Sequence, residues 1–146
     1  MPLVLARRGG TSTIEEEIAQ MADHKAILIT NSEVDPELDE AYNKWYTEVH
    51  IPDCLMAKYW QKATRYRIVP PHSAPANQNP PTKYVTIWEL GTDDVELAFR
   101  ELGKVGEWIR ENDRNFEPVK HRYRGTYVMM GEPQYGTYKE ESATTA

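Results

Sequence analysis

The sequence predicts an α+β domain whose elements follow the order β-α-β-β-α-β. Four segments are continuously apolar or alternate between apolar and polar residues, as strands do. Two other segments repeat apolar residues at helical spacing. The chain has 146 residues, a length typical of one domain with a sizeable core.

The four predicted strands differ in their patterns. The first is continuously apolar and β-branched at its centre, which indicates burial on both faces. The others alternate, so each presents one set of side chains to either face of the sheet. The strands are expected over His24–Asn31, Ala63–Val69, Lys83–Leu90 and Val119–Met130.

The first predicted helix has clear signals at both ends. Asp35 is a natural N-cap, and Pro36 suits the first helical position. Pro52 disfavours helical geometry at the residue before it, so the helix is expected to end near Val49 or His50.

The second predicted helix begins at Thr92 or Asp93 and carries an apolar stripe as far as Ile109. With the strands, this order is that of the ferredoxin-like βαββαβ fold. Two helices cover only one face of a four-stranded sheet, and the other face still carries large apolar groups. The sequence therefore predicts a homodimer in which two sheets pack face to face.

Three segments lie outside this predicted core. Residues 1–23 are expected to be an N-terminal extension that the fold does not need, and residues 132–146 a flexible C-terminal tail. This leaves residues 24–131 as the folded domain. Within it, the stretch 70–81 holds five of the ten prolines and predicts an extended loop. That loop is either a lid over a pocket or a plain surface connection.

Composition excludes several classes of function. The chain has 17 basic and 23 acidic side chains, a net charge of −6, which argues against a nucleic-acid partner. No apolar run approaches the ~20 residues of a membrane span, and no secretory signal is evident. The single cysteine, Cys54, excludes an internal disulfide and a multi-thiolate metal site. A cytoplasmic location fits this cysteine usage.

The strongest candidate for chemistry lies at the end of the first predicted helix. His50 is placed there, and histidine is the usual general acid or base near neutral pH. Tyr46 is one helical turn earlier on the same face. Trp45 would wall a cavity beside them. A histidine that merely caps the helix, favoured by the helix dipole, explains the same residue equally well.

A family resemblance favours the functional interpretation. The segment Asn43–Asp53, NKWYTEVHIPD, resembles the first-helix motif W-Y-x-x-x-H-x-P of EthD-like proteins. The late strand ending YVMMGE also looks like the closing strand of that family. The resemblance covers roughly residues 24–132 and implies a dimeric α+β barrel, in which the helix-end histidine, here His50, lines a pocket. This superfamily includes cofactor-free cyclases, monooxygenases, decarboxylases, isomerases and haem enzymes, so the fold does not determine the reaction.

Further substrate-binding candidates lie on the predicted strands. Asn31, at the end of the first strand, could orient a carbonyl oxygen or simply form a turn. The rings of Tyr66, Tyr84 and Trp88 would suit an aromatic substrate or simply belong to the core. His121 and Tyr127 share one face of the last strand, and that face could line the pocket or the dimer interface. These candidates are Asn31, Tyr66, Tyr84, Trp88, His121 and Tyr127.

Other chemistries have weaker support. Cys54 follows His50 by four residues, but no acid is evident to orient a nucleophilic pair. The four histidines show no metal-binding spacing, and no glycine-rich phosphate motif occurs. No metal or cofactor is therefore expected, although one histidine would suffice for haem. Four strand arginines could attract an anionic substrate, but ion pairs are the favoured explanation: Arg65, Arg67, Arg122 and Arg124.

The sequence thus predicts a cofactor-independent enzyme of cyclase, lyase or isomerase type. Its substrate is expected to be a small oxygenated molecule, aromatic or polyketide-like. His50 would transfer a proton, and Tyr46 would hydrogen-bond the developing oxyanion. Two alternatives remain open: a cofactor-free monooxygenase, and a non-catalytic ligand-binding or stress-response barrel.

Overall fold

The computed structural model describes residue 14, residues 24–69 and residues 82–140. Apart from residue 14, the expected N-terminal extension lies outside these residues. So do the proline-rich stretch 70–81 and the last six residues of the expected tail. In the described ranges, no helix combines the length and the apolar character that crossing a bilayer requires.

The protein has the predicted ferredoxin-like α+β fold. Its four strands form one antiparallel sheet in the order β2-β3-β1-β4. Each strand lies within three residues of its predicted bounds, so the strand patterns were sufficient to locate them. The strands are β1 (Ala26–Glu33), β2 (Trp60–Arg67), β3 (Tyr84–Leu90) and β4 (His121–Val128).

The first helical segment is longer than predicted. It begins with a 3₁₀ turn at Pro36–Leu38 and continues as α1 (Asp39–Trp45). A π-helical turn at Tyr46–His50 follows, and α2 (Ile51–Cys54) completes the segment. The prediction that the helix ends near Val49 or His50 is therefore wrong.

The π-helical turn explains how the helix passes Pro52. The N–H of Ile51 bonds to the carbonyl of Tyr46, five residues back, and this widens the turn just before the proline. Pro52 then occupies one of the first two positions of a new α-helical stretch, where a missing N–H is tolerated. His50 consequently lies inside a continuous helical segment and not at a helix end.

The second helix, α3 (Val95–Glu111), begins close to its predicted start. Its N-cap is Asp94, whose side chain accepts a hydrogen bond from the N–H of Leu97 at 3.0 Å. The predicted apolar stripe faces the sheet, because Ala98 and Ile109 are buried. The indole of Trp60 on β2 donates to the carbonyl of Ala98 at 2.9 Å and ties sheet and helix together.

The core lies between the helices and one face of the sheet, where side chains such as Leu28, Trp88 and Leu90 are buried. The strand β1 is buried only at alternate positions, Ala26 and Leu28, so the predicted burial on both faces does not occur within one chain. The opposite face, here called the open face, carries seven large residues that stay at least partly exposed: Ile27, Ile29, Tyr66, Val85, Ile87, Tyr123 and Tyr127.

Candidate functional site

A cavity of about 390 Å³ lies between the helices and the covered face of the sheet. Cavities of this size hold small organic molecules. Three of its lining residues, Asn115, Tyr123 and Arg124, are exposed and form the mouth. Deeper lining is largely aromatic and aliphatic, with a few polar groups among it. The deeper lining includes Leu28, Thr30, Ser32, Tyr42, Trp45, Tyr46, His50, Cys54, Trp60, Trp88, Phe99, Leu102 and Val119.

The imidazole of His50 is surrounded by aromatic rings inside this cavity. It stacks on Trp45, with ring centroids 4.7 Å apart and planes 21° apart. Tyr46 and Trp88 meet it edge-on at 4.8 Å and 5.8 Å. Bonding across five residues brings positions 45 and 50 close together, so the π-helical turn accounts for the stacking of Trp45 on His50.

The hydroxyl of Tyr46 belongs to a short hydrogen-bond chain. It lies 3.2 Å from the hydroxyl of Thr30 on β1. The indole of Trp88 on β3 donates to the same Thr30 oxygen at 3.1 Å. An indole N–H can only donate, so Thr30 accepts from Trp88 and keeps its own proton available for the Tyr46 oxygen. The hydroxyl of Thr86 is a second side-chain partner of this phenol, so the Tyr46 hydroxyl is bonded from both β1 and β3.

Burial raises the pKa of Tyr46 above its ordinary value. The hydroxyls of Thr30 and Thr86 act in the opposite direction, and so does the charge of Arg65, but burial dominates. Tyr46 is therefore a neutral phenol at physiological pH. A neutral phenol can donate a hydrogen bond to a negatively charged oxygen.

Arg65 lies on β2 opposite the buried Thr86 of β3, and it is not among the residues that line the cavity. Its guanidinium packs over the ring of Tyr46 at 4.4 Å and near the rings of Tyr84 and Tyr42 at 5.1 Å and 5.7 Å. Its Nε and Nη2 are buried with no hydrogen-bond partner in the described part of the chain. The ion pair expected for Arg65 is not found there. Cation–π contacts with the three tyrosines hold this charge instead.

Cys54 is a poor nucleophile in this setting. Its Sγ lies 3.8 Å from Nδ1 and 3.9 Å from Nε2 of His50. Burial, reinforced by the neighbouring Asp53, raises the pKa of the Cys54 thiol to about 12. The thiolate, and not the thiol, is the reactive form. This agrees with the low weight that the sequence placed on a cysteine–histidine pair.

An ion pair holds the cavity mouth in place. The guanidinium of Arg114 contacts the buried carboxylate of Asp53 through two bonds, of 2.6 Å and 3.1 Å. The carbonyl of Arg114 accepts from the indole of Trp45 at 2.7 Å. Together these bonds connect the chain after α3 to the first helical segment, immediately before Asn115 of the mouth.

The structure brings five of the predicted site residues to this cavity and places three elsewhere, while the position of a ninth side chain is not described. Tyr66 and Tyr127 lie on the open face, because strand alternation turns them away from the helices. Tyr84 is buried, but its hydroxyl is bound to Asp39 and does not line the cavity. The side chain of His121 lies outside what the structure describes. The five at the cavity are Asn31, Trp45, Tyr46, His50 and Trp88.

Several lining residues were not singled out as site residues from the sequence. Thr30 and Ser32 share a strand face with the buried Leu28, and this alternation was the available signal. Phe99 belonged to the predicted apolar stripe and was assigned to the core. Asn115 follows α3 in a segment without a pattern, so nothing in the sequence indicated that it lies at the mouth.

No group of three or more histidine, cysteine or acidic side chains within residues 24–69 and 82–140 is arranged to hold a metal ion. The polar groups that do meet in the cavity include an imidazole, hydroxyls, side-chain amides, a thiol and a guanidinium. They can transfer a proton, donate hydrogen bonds to an oxyanion and attract an anion.

No protein family and no curated protein matches the chain, so membership of the EthD-like family remains a prediction. Solved structures do match. One is a dimeric ferredoxin-like protein of unknown function from Thermobifida fusca, with 10% identity and a TM-score of 0.47 over 73% of this chain and 92% of that chain. Another is HapK from Hahella chejuensis, with 18% identity and a TM-score of 0.46 over 76% and 99%.

A third structure is an uncharacterized NIPSNAP-like domain protein from Burkholderia xenovorans. It has 12% identity and a TM-score of 0.47, over 82% of this chain and 98% of that chain. Identities this low say nothing about substrate or reaction.

Proposed function

We propose that the protein is a cofactor-independent enzyme that transfers a proton on a small oxygenated molecule. The observation that supports this most directly is the meeting of His50 and Tyr46 in one cavity, with ring centroids 4.8 Å apart. Histidine is the commonest general base, and a neutral phenol is a suitable oxyanion donor. The aromatic lining suits an aromatic or polyketide-like substrate.

The proposed step begins with a substrate that carries a C–H bond next to a carbonyl group. His50 accepts this proton, and the electron pair of the C–H bond moves to the carbonyl oxygen to form an enolate. Tyr46 donates its phenol proton as a hydrogen bond to that oxygen, while the Thr30 hydroxyl supports the phenol. Cyclisation, isomerisation and decarboxylation can each have such an enolate as an intermediate.

A proton-exchange assay tests this step without knowledge of the natural substrate. The probe is 1-tetralone in D₂O, an aromatic ketone whose exchange of protons beside the carbonyl is followed by NMR. The wild type is expected to accelerate exchange over buffer. His50→Gln is expected to reduce this acceleration by about 10²–10⁴-fold, since an amide cannot accept the proton. Tyr46→Phe is expected to reduce it less, because it removes one donor and keeps the ring.

His24→Gln is the matched control. His24 pairs with Glu89 at 2.8 Å and does not line the cavity, so its variant should exchange at the wild-type rate. Exchange that His50→Gln leaves unchanged would contradict the proposed role of His50. A wild type that does not accelerate exchange of this ketone would contradict the proposed substrate chemistry.

A non-catalytic ligand-binding barrel is the second candidate. It is favoured by the position of Cys54, whose sulfur lies within 3.9 Å of both ring nitrogens of His50. In this interpretation His50 packs against the thiol and transfers no proton. Tetralone would then bind without any accelerated exchange. A cofactor-free monooxygenase, the remaining alternative, would instead consume oxygen when an oxidisable phenol is added.

We also propose that the protein acts as a homodimer that buries the open face. Central aliphatic side chains such as Ile29 and Ile87 lie there, with Tyr66 and Tyr127 more than half exposed around them. A second copy of this chain is a self-complementary cover for such a face. The free, buried Cys54 is consistent with a reducing compartment such as the cytoplasm.

A further inference from the structure

We infer that Arg124 binds an anionic end of the ligand, and that the ligand is an aromatic or conjugated carboxylate. This inference rests on the proposed function, because it concerns the same cavity. It adds the chemical class of the substrate. It differs from the expectation that the strand arginines form ion pairs.

Arg124 occupies a fixed position relative to the proposed chemistry. It lies directly opposite Thr30 in the pairing of β4 with β1. Paired residues of antiparallel strands have Cα atoms about 4.5–5.5 Å apart. Thr30 is the residue that contacts Tyr46, so the stem of Arg124 begins next to the proposed oxyanion donor. Its guanidinium then extends over the ring of Phe99 on α3, at 5.2 Å from the centroid.

No acidic side chain among the described residues neutralises the charge of Arg124. In the described part of the chain it makes no ion pair, whereas Arg114, Lys83 and Lys120 each pair with an aspartate. The residues that line the cavity include no aspartate or glutamate.

The surroundings of Arg124 indicate what kind of anion would bind. A guanidinium recognises a carboxylate through two parallel hydrogen bonds. The mouth adds the side-chain amide of Asn115, and β1 adds the hydroxyl of Ser32, which also bonds the hydroxyl of Tyr42. Beyond these polar groups the lining is aromatic, with Trp88 and Phe99 on opposite walls from sheet and helix. A ligand with a flat aromatic ring system and one carboxylate would place the carboxylate at the polar mouth and the rings in the aromatic interior.

Calorimetric titration with two matched probes tests the inference. The probes are 2-naphthoate and 2-naphthamide, which share a ring system and differ in charge. Wild type is expected to bind the carboxylate at least about tenfold more tightly, as a charge-assisted bidentate pair would give. Arg124→Gln is expected to remove this preference and to leave the affinity for the amide nearly unchanged.

Arg100→Gln provides the control, since Arg100 is exposed on α3 next to Phe99 and does not line the cavity. It removes the same charge and should keep the preference. Equal binding of the two probes by wild type would overturn the inference. So would a preference that survives in Arg124→Gln, or a failure of naphthoate to bind at millimolar concentration.

The same titration separates this inference from the proposed function. His50→Gln should retain the preference for naphthoate, because the imidazole does not contact the carboxylate in this arrangement. If wild type did not accelerate proton exchange but its preference for naphthoate depended on Arg124, the proposed enzyme activity would be wrong. The protein would then be a binding protein for aromatic acids. Because Arg124 is exposed, its variant should unfold at the wild-type temperature, and that measurement accompanies the titration.

Discussion

Cys54 shows how burial alters the chemistry of a single residue. Its thiol is adjacent to a histidine, the usual partner of a reactive cysteine, yet burial raises its pKa to about 12. The contact with His50 therefore does not make the thiol reactive, because its reactivity depends on how deeply the packing around the sulfur buries it.

The raised pKa of Cys54 predicts a loss of stability in alkali. The unfolded thiol ionises near its ordinary value of 9.0, while the folded thiol keeps its proton to about pH 12. The stabilising contribution is thus complete below pH 9 and is lost as the pH rises above it. Between pH 8 and pH 10, urea unfolding of wild type should lose about 1 kcal/mol more than that of Cys54→Ala. An equal loss in both proteins would contradict the buried, protonated thiol.

Tyr46 and Arg65 show the same dependence on packing. The sequence placed Tyr46 on the first helix and Arg65 on a strand, but it did not indicate that the guanidinium would lie 4.4 Å from the phenol ring. That contact joins β2 to the π-helical turn, two segments that are distant in sequence. Only the folded chain determines that this arginine supports a tyrosine and that Arg124 lines the cavity.

At the scale of elements, the π-helical turn is the feature that matters most to the site. It lets the helix continue past Pro52 and brings Trp45 against His50. Single π-helical turns inside α-helices are frequent at functional sites, since they alter which side chains share a face of the helix. The rule that helices end before proline predicted a boundary here, yet Ile51 keeps α-helical dihedral angles, φ −61° and ψ −52°, directly before Pro52.

The ion pair of Arg114 with Asp53 predicts how firmly the mouth is joined to the first helical segment. Arg114→Gln leaves the buried carboxylate unpaired and should lower the free energy of unfolding by about 1–3 kcal/mol. This is less than a fully buried pair would cost, because the arginine side chain is 36% exposed.

Lys104→Gln is the comparison for Arg114→Gln, since it breaks a pair with Glu101 in which the lysine is mostly exposed. It should cost less than about 0.5 kcal/mol in the same urea titration. Equal effects of the two substitutions would mean that the Asp53 pair contributes no more than an ordinary surface pair.

At the scale of the whole molecule, the open face predicts the state of assembly. Wild type should have twice the mass of one chain by light scattering at micromolar concentration. Ile87→Lys places a charge at the centre of this face and should give a monomer with an unchanged circular dichroism spectrum. Glu96→Lys, exposed on α3 and away from that face, should leave the dimer intact. A monomeric wild type would remove the argument for a dimeric barrel.

The order of elements, the approximate bounds of the four strands and the proximity of His50 to Tyr46 could be predicted from the amino-acid sequence. These are local properties: alternation, helical spacing and the short separation between two side chains on one turn. They depend on neighbours along the chain, so a single sequence contains them.

Only the tertiary structure decided which strand face lines the cavity. Tyr66 and Trp88 looked equivalent in sequence, yet one lies on the open face and the other beside His50. The same holds for Arg124, which the pairing of β4 with β1 places next to Thr30. Strand alternation defines two faces but does not say which of them the helices cover. That choice depends on long-range packing, which no short window of sequence encodes.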